Sequence, residues 1–406
     1  MPARRPVTRH DEQEPVMPLS STQDAGLGTV LREWGRIGCV GFGGPPTHIA
    51  LLRKLCVQRR GWLSDQEFED AIAACNLLPG PASTQLAIFT AWRVRGRVGA
   101  LVGGAAFIVP GLIVILALAA LFLTGSPPAW VRGAGAGAGA AVAAVAVHAG
   151  VGLIPAGWRR AAATGRVRWA LYVVAGVASA ALVGPWLVLV LLGCGLIELS
   201  VNRARRGEST AALFAVPVQS WAAAAAGAGV FASVAWVSLK VGMLSYGGGF
   251  VIIPLMQDDA VNTYGWMTAG EFLNAVALGQ VTPGPVVQTV AVVGYAAAGL
   301  AGGILASLVA FTPSFLFILF GAKHFDRLRG NPNVRAFLDG AGPAAVGAIL
   351  GSAIPLALSL TQAWQYAVLA GAGVLLFVFR RGVVTTILVA AGAGTVLALA
   401  GALLPS

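Results

Sequence analysis

Apolar residues run almost unbroken through 98–124, 133–154, 340–358, 363–379 and 383–403, each close to the ~20 residues that cross a bilayer as a helix. The stretch 168–200 is long enough for two shorter crossings, interrupted at Gly184 and Pro185. Elsewhere the apolar runs are cut by glycine and proline, so that 28–57, 66–94, 232–261 and 270–298 each read as a helix, a break and a second helix. A further crossing is expected around 211–231. The pattern predicts an all-α polytopic membrane protein with about 9–12 membrane-spanning segments, some of them broken or re-entrant. Residues 1–26 are polar and charged, with no apolar stretch behind Arg4 and Arg5, and are expected to form a disordered cytoplasmic tail rather than a signal peptide.

The broken segments occur twice. Gly43-Gly44 returns as Gly247-Gly248, Gly61-Trp62 as Gly265-Trp266, Glu67-Phe68 as Glu271-Phe272, and Pro79-Gly80-Pro81 as Pro283-Gly284-Pro285, always 204 positions later (247 − 43). Over 41–87, 15 of 47 residues match at that offset without a gap. The matches concentrate in glycine and proline, which dictate backbone shape, so what is duplicated is a chain geometry. The chain accordingly divides into a first repeat at 27–206, a connecting membrane segment at 207–231 and a second repeat at 232–406.

With 57% hydrophobic and 11% charged residues, the chain lacks the polar surface a soluble enzyme of this size needs. Its net charge of +11 sits in short basic clusters between apolar segments, as cytoplasmic loops require, and does not point to nucleic acid. The 54 glycines, above all the Gly/Ala run from Gly133 to Ala149, let helix backbones approach closely in lipid and read as packing. Cys39, Cys56, Cys75 and Cys194 show no ligand or disulfide spacing, so no metal or other cofactor is expected.

Charge separates the two repeats. At the 204 offset, Arg53, Lys54, Arg59 and Arg60 fall opposite Gln257, Asp258, Thr263 and Tyr264, and Arg93, Arg95 and Arg97 fall opposite Ala297, Gly299 and Ala301. Further along the bias reverses: Lys323, Arg327 and Arg329 have uncharged equivalents at 119–125, while Arg159, Arg160, Arg166 and Arg168 have uncharged equivalents at 363–372. Positive loops mark the cytoplasmic side, so the repeats are expected to have inverted topology, with a cytoplasmic N-terminus. Irregular backbone at membrane depth is tolerated only inside protein or along a cavity. Two inverted repeats whose broken helices meet near the midplane are the architecture of a secondary transporter.

The breaks themselves carry the candidate site. Gly43, Gly44 and Pro45 start one short helix, with Gly247, Gly248 and Gly249 as their copy; Pro79, Gly80 and Pro81, and Pro283, Gly284 and Pro285, start two more. A helix that begins within the membrane offers unpaired N–H groups and a partial positive charge to an anion. Thr84, Gln85, Gln288 and Thr289 follow the Pro-Gly-Pro motifs and add hydroxyl and amide groups. Lys240, the only charged residue between Glu208 and Asp258, and Arg36 at the same repeat position are candidate cations for the substrate; the alternative is that they snorkel to a surface. Because no acid lies in its own segment, the expected partner of Lys240 is the substrate anion. Glu67 and Glu271 stand three residues after Ser64 and Thr268, a capping-box spacing, with proton coupling as the other role. His48 has no histidine counterpart and reads as a satisfied helix residue.

At these motifs the chain resembles the chromate ion transporter family in its long, two-domain form. The resemblance rests on Gly41-Phe42-Gly43-Gly44-Pro45, Gly61-Trp62-Leu63, Glu67-Phe68 and Leu78-Pro79-Gly80-Pro81 with their second copies, and spans the chain from about residue 27 onward. It implies a bacterial inner-membrane protein that exports chromate, driven by the proton motive force, and confers chromate resistance. The expected partners are chromate or a sulfate-like oxyanion and the lipid bilayer, with a homodimer left open and no nucleic acid. A sulfate or other small-anion carrier or a channel is the nearest alternative. A membrane-embedded enzyme would need an acid-base pair, nucleophile or metal cluster, and the sequence offers no HExxH, paired Asp cluster or Cys/His set. The absence of a GxxxxGK[ST] fingerprint argues against direct drive by ATP.

Overall fold

The computed structural model describes residues 25–123, 127–182, 187–207, 229–245, 251–322 and 331–405. The N-terminal tail to residue 24, the Gly184-Pro185 interruption, residues 208–228 of the connecting segment expected at 207–231, the Gly247-Gly248-Gly249 break and the loop with Lys323, Arg327 and Arg329 lie outside the described residues.

Every regular element among the described residues is helical. The first repeat comprises α1 (Leu27–Val40), α2 (Pro45–Arg53) with a π-helical continuation (Lys54–Arg59), α3 (Asp65–Cys75), α4 (Ala82–Phe122), α5 (Ala129–Thr164), α6 (Arg166–Leu182) and α7 (Leu187–Arg205). The second comprises α8 (Val230–Leu244), α9 (Ile253–Gln257) with its π-helical continuation (Asp258–Thr263), α10 (Ala269–Val281), α11 (Thr289–Gly321) entered through a 3-10 turn (Val286–Gln288), α12 (Pro332–Leu358), α13 (Ala363–Phe377) and α14 (Val383–Leu399). The stretches Ala82–Phe122, Ala129–Arg159, Leu187–Arg205, Val286–Gly321 and Pro332–Leu358 are long and apolar enough to cross a membrane, and α8, α13 and α14 are shorter apolar helices. The chain is a polytopic membrane protein.

The fixed offset of 204 holds only through the second Pro-Gly-Pro motif. Gly96 (φ 62°) and Gly299 (φ 61°) make the same sharp break within α4 and α11, and Pro110 and Pro313 follow each break. Both pairs are 203 apart (299 − 96; 313 − 110). One residue is dropped where the tighter 3-10 turn at Val286–Gln288 replaces the α-helical start at Ala82. Gln288 is therefore the equivalent of Gln85, and Arg93, Arg95 and Arg97 face Ala296, Ala298 and Leu300 rather than the residues expected from a constant offset. The charge contrast survives this correction, because the new partners are also uncharged.

The long helix of each repeat packs on the other repeat. α5 lies against α14 and α13, while α12 lies against α6 and α7; α4 meets α11 and α5 meets α12 across the centre. Small residues make these approaches possible. A Cβ on Gly137 would collide with the Ala390 carbonyl and with Gly394 of α14, and one on Gly176 of α6 with the Ala344 carbonyl of α12. Part of the Gly/Ala run is thus a helix-packing face, as its composition suggests. Gln365 of α13 adds a hydrogen bond from Nε2 to the Ala136 carbonyl of α5 at 3.3 Å.

Overfilling this contact tests it. Gly137→Val is expected to destabilise the protein by about 1–3 kcal/mol, measured as a lower melting temperature in detergent. Gly371→Ala, where an added Cβ meets nothing within 4 Å, should leave the melting temperature unchanged or slightly raised.

Candidate functional site

The first backbone break is held by a polar knot. α1 stops at Gly41, the chain turns through Gly43 (φ 98°) and Gly44 (φ 76°), and α2 starts on Pro45 and Pro46, whose missing N–H groups are not needed in a first helical turn. The Gly41 carbonyl accepts a hydrogen bond from His48 Nε2 at 2.9 Å and another from the Gly284 N–H at 3.1 Å. A carbonyl only accepts, so this assigns the His48 proton to Nε2 and leaves Nδ1 to accept from Ser83 Oγ at 3.3 Å. His48 is fully buried, with its ring edge-on to Phe107 at 5.0 Å. A Cβ at Gly41 would stand 2.9 Å from the His48 ring and 2.7 Å from the Ile37 carbonyl. One carbonyl thus ties the first break, the start of α4 and the second Pro-Gly-Pro motif together.

Beside the knot lies a cavity of about 530 Å³. Its wall includes Gly43, Gly44, Pro45 and Pro46, then Pro81, Ala82 and Ser83, then Pro285, Val286 and Val287. Three of the four predicted helix starts therefore converge, and both repeats contribute. The N–H groups of Ala82 and Ser83, and of Val286 and Val287, have no hydrogen-bond partner among the described residues. They are the orphan donors of a first helical turn, positioned where the helix dipole favours negative charge. α2 adds less, because its first two residues are prolines. Among the described residues, no Asp, Glu, Lys or Arg lines the cavity, and the one titratable lining residue is His148 of α5, edge-on to Phe377 at 5.4 Å.

The side chains singled out by sequence fall differently. Gln85 and Gln288 are fully buried but do not line the cavity. Gln85 Nε2 donates to the Pro79 carbonyl and Gln288 Nε2 to the Ile108 carbonyl, each at 2.7 Å. Thr289 Oγ1 donates to the Val286 carbonyl at 2.9 Å, and Thr84 is buried away from the cavity wall. Gln85, Gln288 and Thr289 brace the motifs from behind, whereas the buried Thr84 hydroxyl has no hydrogen-bond partner among the described residues. Gly80 needs its missing side chain, since a Cβ there would meet Gln85 Nε2 at 2.7 Å and Ser314 Oγ at 3.2 Å, while Gly284 sits against Phe107 and Gly111 of α4. Pro79 and Pro283 belong to the same scaffold and do not line the cavity. Two amides that sequence reasoning passed over do line it: Asn76 and Gln280, 204 positions apart (280 − 76) and three residues ahead of each Pro-Gly-Pro motif. Their shared repeat position was the available signal.

The candidate cations are also displaced. Lys240 Nζ sits 2.7 and 2.6 Å from the two Asp259 oxygens and 5.6 Å from the Trp236 ring centre. Its partner is an acid of the following segment, which corrects the expectation of a substrate partner. Arg36 is exposed on α1, and neither residue lines the cavity. The first repeat answers with an ion pair of reversed polarity, Glu33 of α1 with Arg60 at 2.6 Å. Glu67 and Glu271 complete capping boxes with Ser64 and Thr268. Ser64, through its backbone N–H and then its hydroxyl, together with the paired Arg93 guanidinium, holds the Glu67 carboxyl below the usual carboxylate range. Glu271 lines a separate cavity of about 450 Å³ with Arg132 and Asn274.

Comparison with known proteins gives a consistent result. The profile of the family described as Chromate transporter matches residues 28–199 and 232–397. The chain is 29% identical over 338 residues to the chromate transport protein of Cupriavidus metallidurans, covering 79% of this chain and 80% of that one. It is 28% identical over 332 residues to the probable chromate transport protein of Synechococcus elongatus (79% and 82% covered) and 29% identical over 336 residues to the chromate transport protein of Pseudomonas aeruginosa (79% and 79%). No solved structure matches.

Two outcomes follow from the charge pairs. Lys240→Ala strands Asp259, which is 6% exposed, and is expected to destabilise the protein by up to about 3–5 kcal/mol; adding Asp259→Ala should recover most of the lost melting temperature. Glu67→Gln is expected to cost about 1 kcal/mol through the weakened cap. Because the folded Glu67 carboxyl titrates below its ordinary range, its contribution is present at neutral pH and disappears as the pH falls through the depressed value; the wild-type and Glu67→Gln melting temperatures should therefore converge in acid.

Proposed function

This chain belongs to the chromate transporter family, and on that premise we propose that it is a secondary transporter carrying chromate, or a sulfate-like tetrahedral oxyanion, through the cavity between the two Pro-Gly-Pro motifs. The observation that carries the reading is the convergence of Gly43-Gly44-Pro45, Pro81 to Ser83 and Pro285 to Val287 on one cavity whose wall, among the described residues, has orphan N–H donors and no acid. Such donors stabilise an oxyanion without a cation that would hold it too tightly to release. Gly247, Gly248 and Gly249, the fourth helix start expected from the sequence, belong to the same proposed substrate site and lie outside the described residues. Pro79, Gly80, Gln85, Pro283, Gly284 and Gln288 act here as the scaffold that aims those donors. Thr84 and Thr289, also buried behind the helix starts, belong with them.

The wider reading follows the charge pattern and the family. The repeats at 27–206 and 232–406, joined by a crossing at 207–231, have inverted topology, with the N-terminus on the cytoplasmic side of a bacterial inner membrane. Alternating access then comes from rocking one repeat against the other around the shared cavity. Transport runs outward, driven by the proton motive force, and confers resistance to chromate. Arg36 and Lys240 guide anions towards the protein or anchor α1 and α8; they do not bind the transported ion.

Labelled chromate uptake into inverted membrane vesicles tests the function. The expected outcome is saturable uptake, competed by sulfate and abolished by a protonophore. Uptake indifferent to the protonophore would remove the proton coupling, and a large conductance insensitive to opposing substrate would make the protein a channel. For the topology, Arg59→Cys and Thr263→Cys in a background without the native cysteines should be labelled from opposite sides of the membrane; labelling from one side would overturn the inversion.

A further inference from the structure

α5 turns one face to the cavity, made of Val145, His148, Ala149, Gly152 and Leu153. His148 is the member of that face able to carry charge. Within the membrane-crossing stretch Ala129–Arg159 the nearest charged residues of the helix are Arg132 and Arg159, 16 and 11 positions away (148 − 132; 159 − 148), or roughly 16–24 Å along the axis. An ionisable side chain inside a membrane span is costly and calls for a function. The ring is half-buried and leans edge-on against Phe377. Neither of its nitrogens has a hydrogen-bond partner among the described residues, and neither is closed off from its surroundings. His48 is the contrast, since the Gly41 carbonyl and Ser83 occupy both of its nitrogens. At the offset of 203 the counterpart of His148 is Gly351 (351 − 148), where a Cβ would collide with the Val177 carbonyl. The second repeat thus spends this position on helix packing, and the first leaves it room for an imidazole beside the cavity.

The charged groups of the surrounding elements do not line this wall. Glu271 of α10 lines the separate cavity of about 450 Å³, and Asp339 of α12 lines another of about 250 Å³ that shares Asn76 and Leu153 with this one. Arg380 and Arg381, between α13 and α14, are exposed and outside the lining. α2, α4 and the entry to α11 bring no charged group to it, and His48 stands behind Ser83. A dianion in the cavity therefore meets no fixed countercharge among the described residues, and an uncompensated charge in a low-dielectric space is expensive. Resting on the transport reading above, we propose that His148 is the proton-linked ligand of the transported oxyanion: neutral in the empty cavity, it takes up one proton as the anion enters and donates a charge-assisted hydrogen bond from the imidazolium. Proton and anion reinforce each other's binding, because each lowers the cost of the other. A guanidinium would stay charged in the empty cavity, whereas an imidazole discharges when the anion leaves. The proton travels with the anion and is given back on release. A dianion thus crosses with one net negative charge (−2 + 1 = −1), which the membrane potential, the electrical part of the proton motive force, drives outward.

Purified full-length protein in detergent provides the test, with sulfate as the probe. Sulfate keeps both charges across the range in which histidines ordinarily titrate, about pH 5–8, so any pH dependence belongs to the protein. The readout is the sulfate-induced rise in each variant's own melting temperature, converted to an apparent Kd at each pH. Because the imidazolium is the binding form, wild-type affinity should fall towards alkaline pH by up to about tenfold per pH unit, the limiting slope for one linked proton. His148→Gln, which cannot take the proton, should bind at the weak alkaline level at every pH. His148→Arg, with a fixed charge, should bind without pH dependence and at least as tightly as the wild type in acid. Each variant is compared with its own ligand-free state, so a lower stability does not mask the result. A flat wild-type profile, a slope that survives in His148→Gln, or no sulfate binding at any pH would overturn the inference. Saturable vesicle uptake beside a flat profile would leave the transport reading intact, while proton-linked binding without uptake would refute that reading and leave the role of His148 standing.

Discussion

The Gly41 carbonyl governs the arrangement around the cavity. A chain that breaks its helices at membrane depth must partner every exposed backbone group within the protein, because lipid offers no substitute. Here one oxygen serves two donors from distant parts of the sequence, the ring of His48 and the N–H of Gly284. The first bond fixes how α2 leaves the turn; through Ser83, the same ring fixes the start of α4. The second pins the opposite repeat's proline motif to the first repeat's glycine turn. This shared acceptor gives the first glycine turn, α2, the start of α4 and the second Pro-Gly-Pro motif a common point of attachment.

The repeats share a backbone plan and differ in the side chains hung on it. Each first helix is tied by an ion pair to the chain that follows its π-helical stretch or to that stretch itself, but the acid is on α1 in one and the base is on α8 in the other. The amides at the common position are an exposed asparagine and a buried glutamine.

Local chemistry explains what was legible before the structure. Ser64 with Glu67, and Thr268 with Glu271, announce helix starts within four residues, and both capping boxes form. The apolar runs at 340–358, 363–379 and 383–403 reappear as α12, α13 and α14. What failed depended on distance or on a single residue. The partner of Lys240 lies 19 positions away in another segment, beyond any helical spacing argument. The register slip from 204 to 203 arises in one 3-10 turn and is invisible to a motif comparison that ends at Pro285. Gln85 and Gln288 looked like ligands because they follow the proline motifs closely, but a residue one turn into a helix lies behind its start, whereas Asn76 and Gln280, ahead of the motif, reach the wall.

The crossed packing of the long helices bears on how the chain is made. Because α5 packs on α13 and α14, with Gly133 and Gly137 matched to Gly394 of α14, a first repeat without the last helices presents that notched surface to lipid. Lipid solvates it without a hydrophobic penalty, so the intermediate can wait, but it cannot reach its final order until the last helices have been synthesised. The packing of α5 is completed only by helices of the second half.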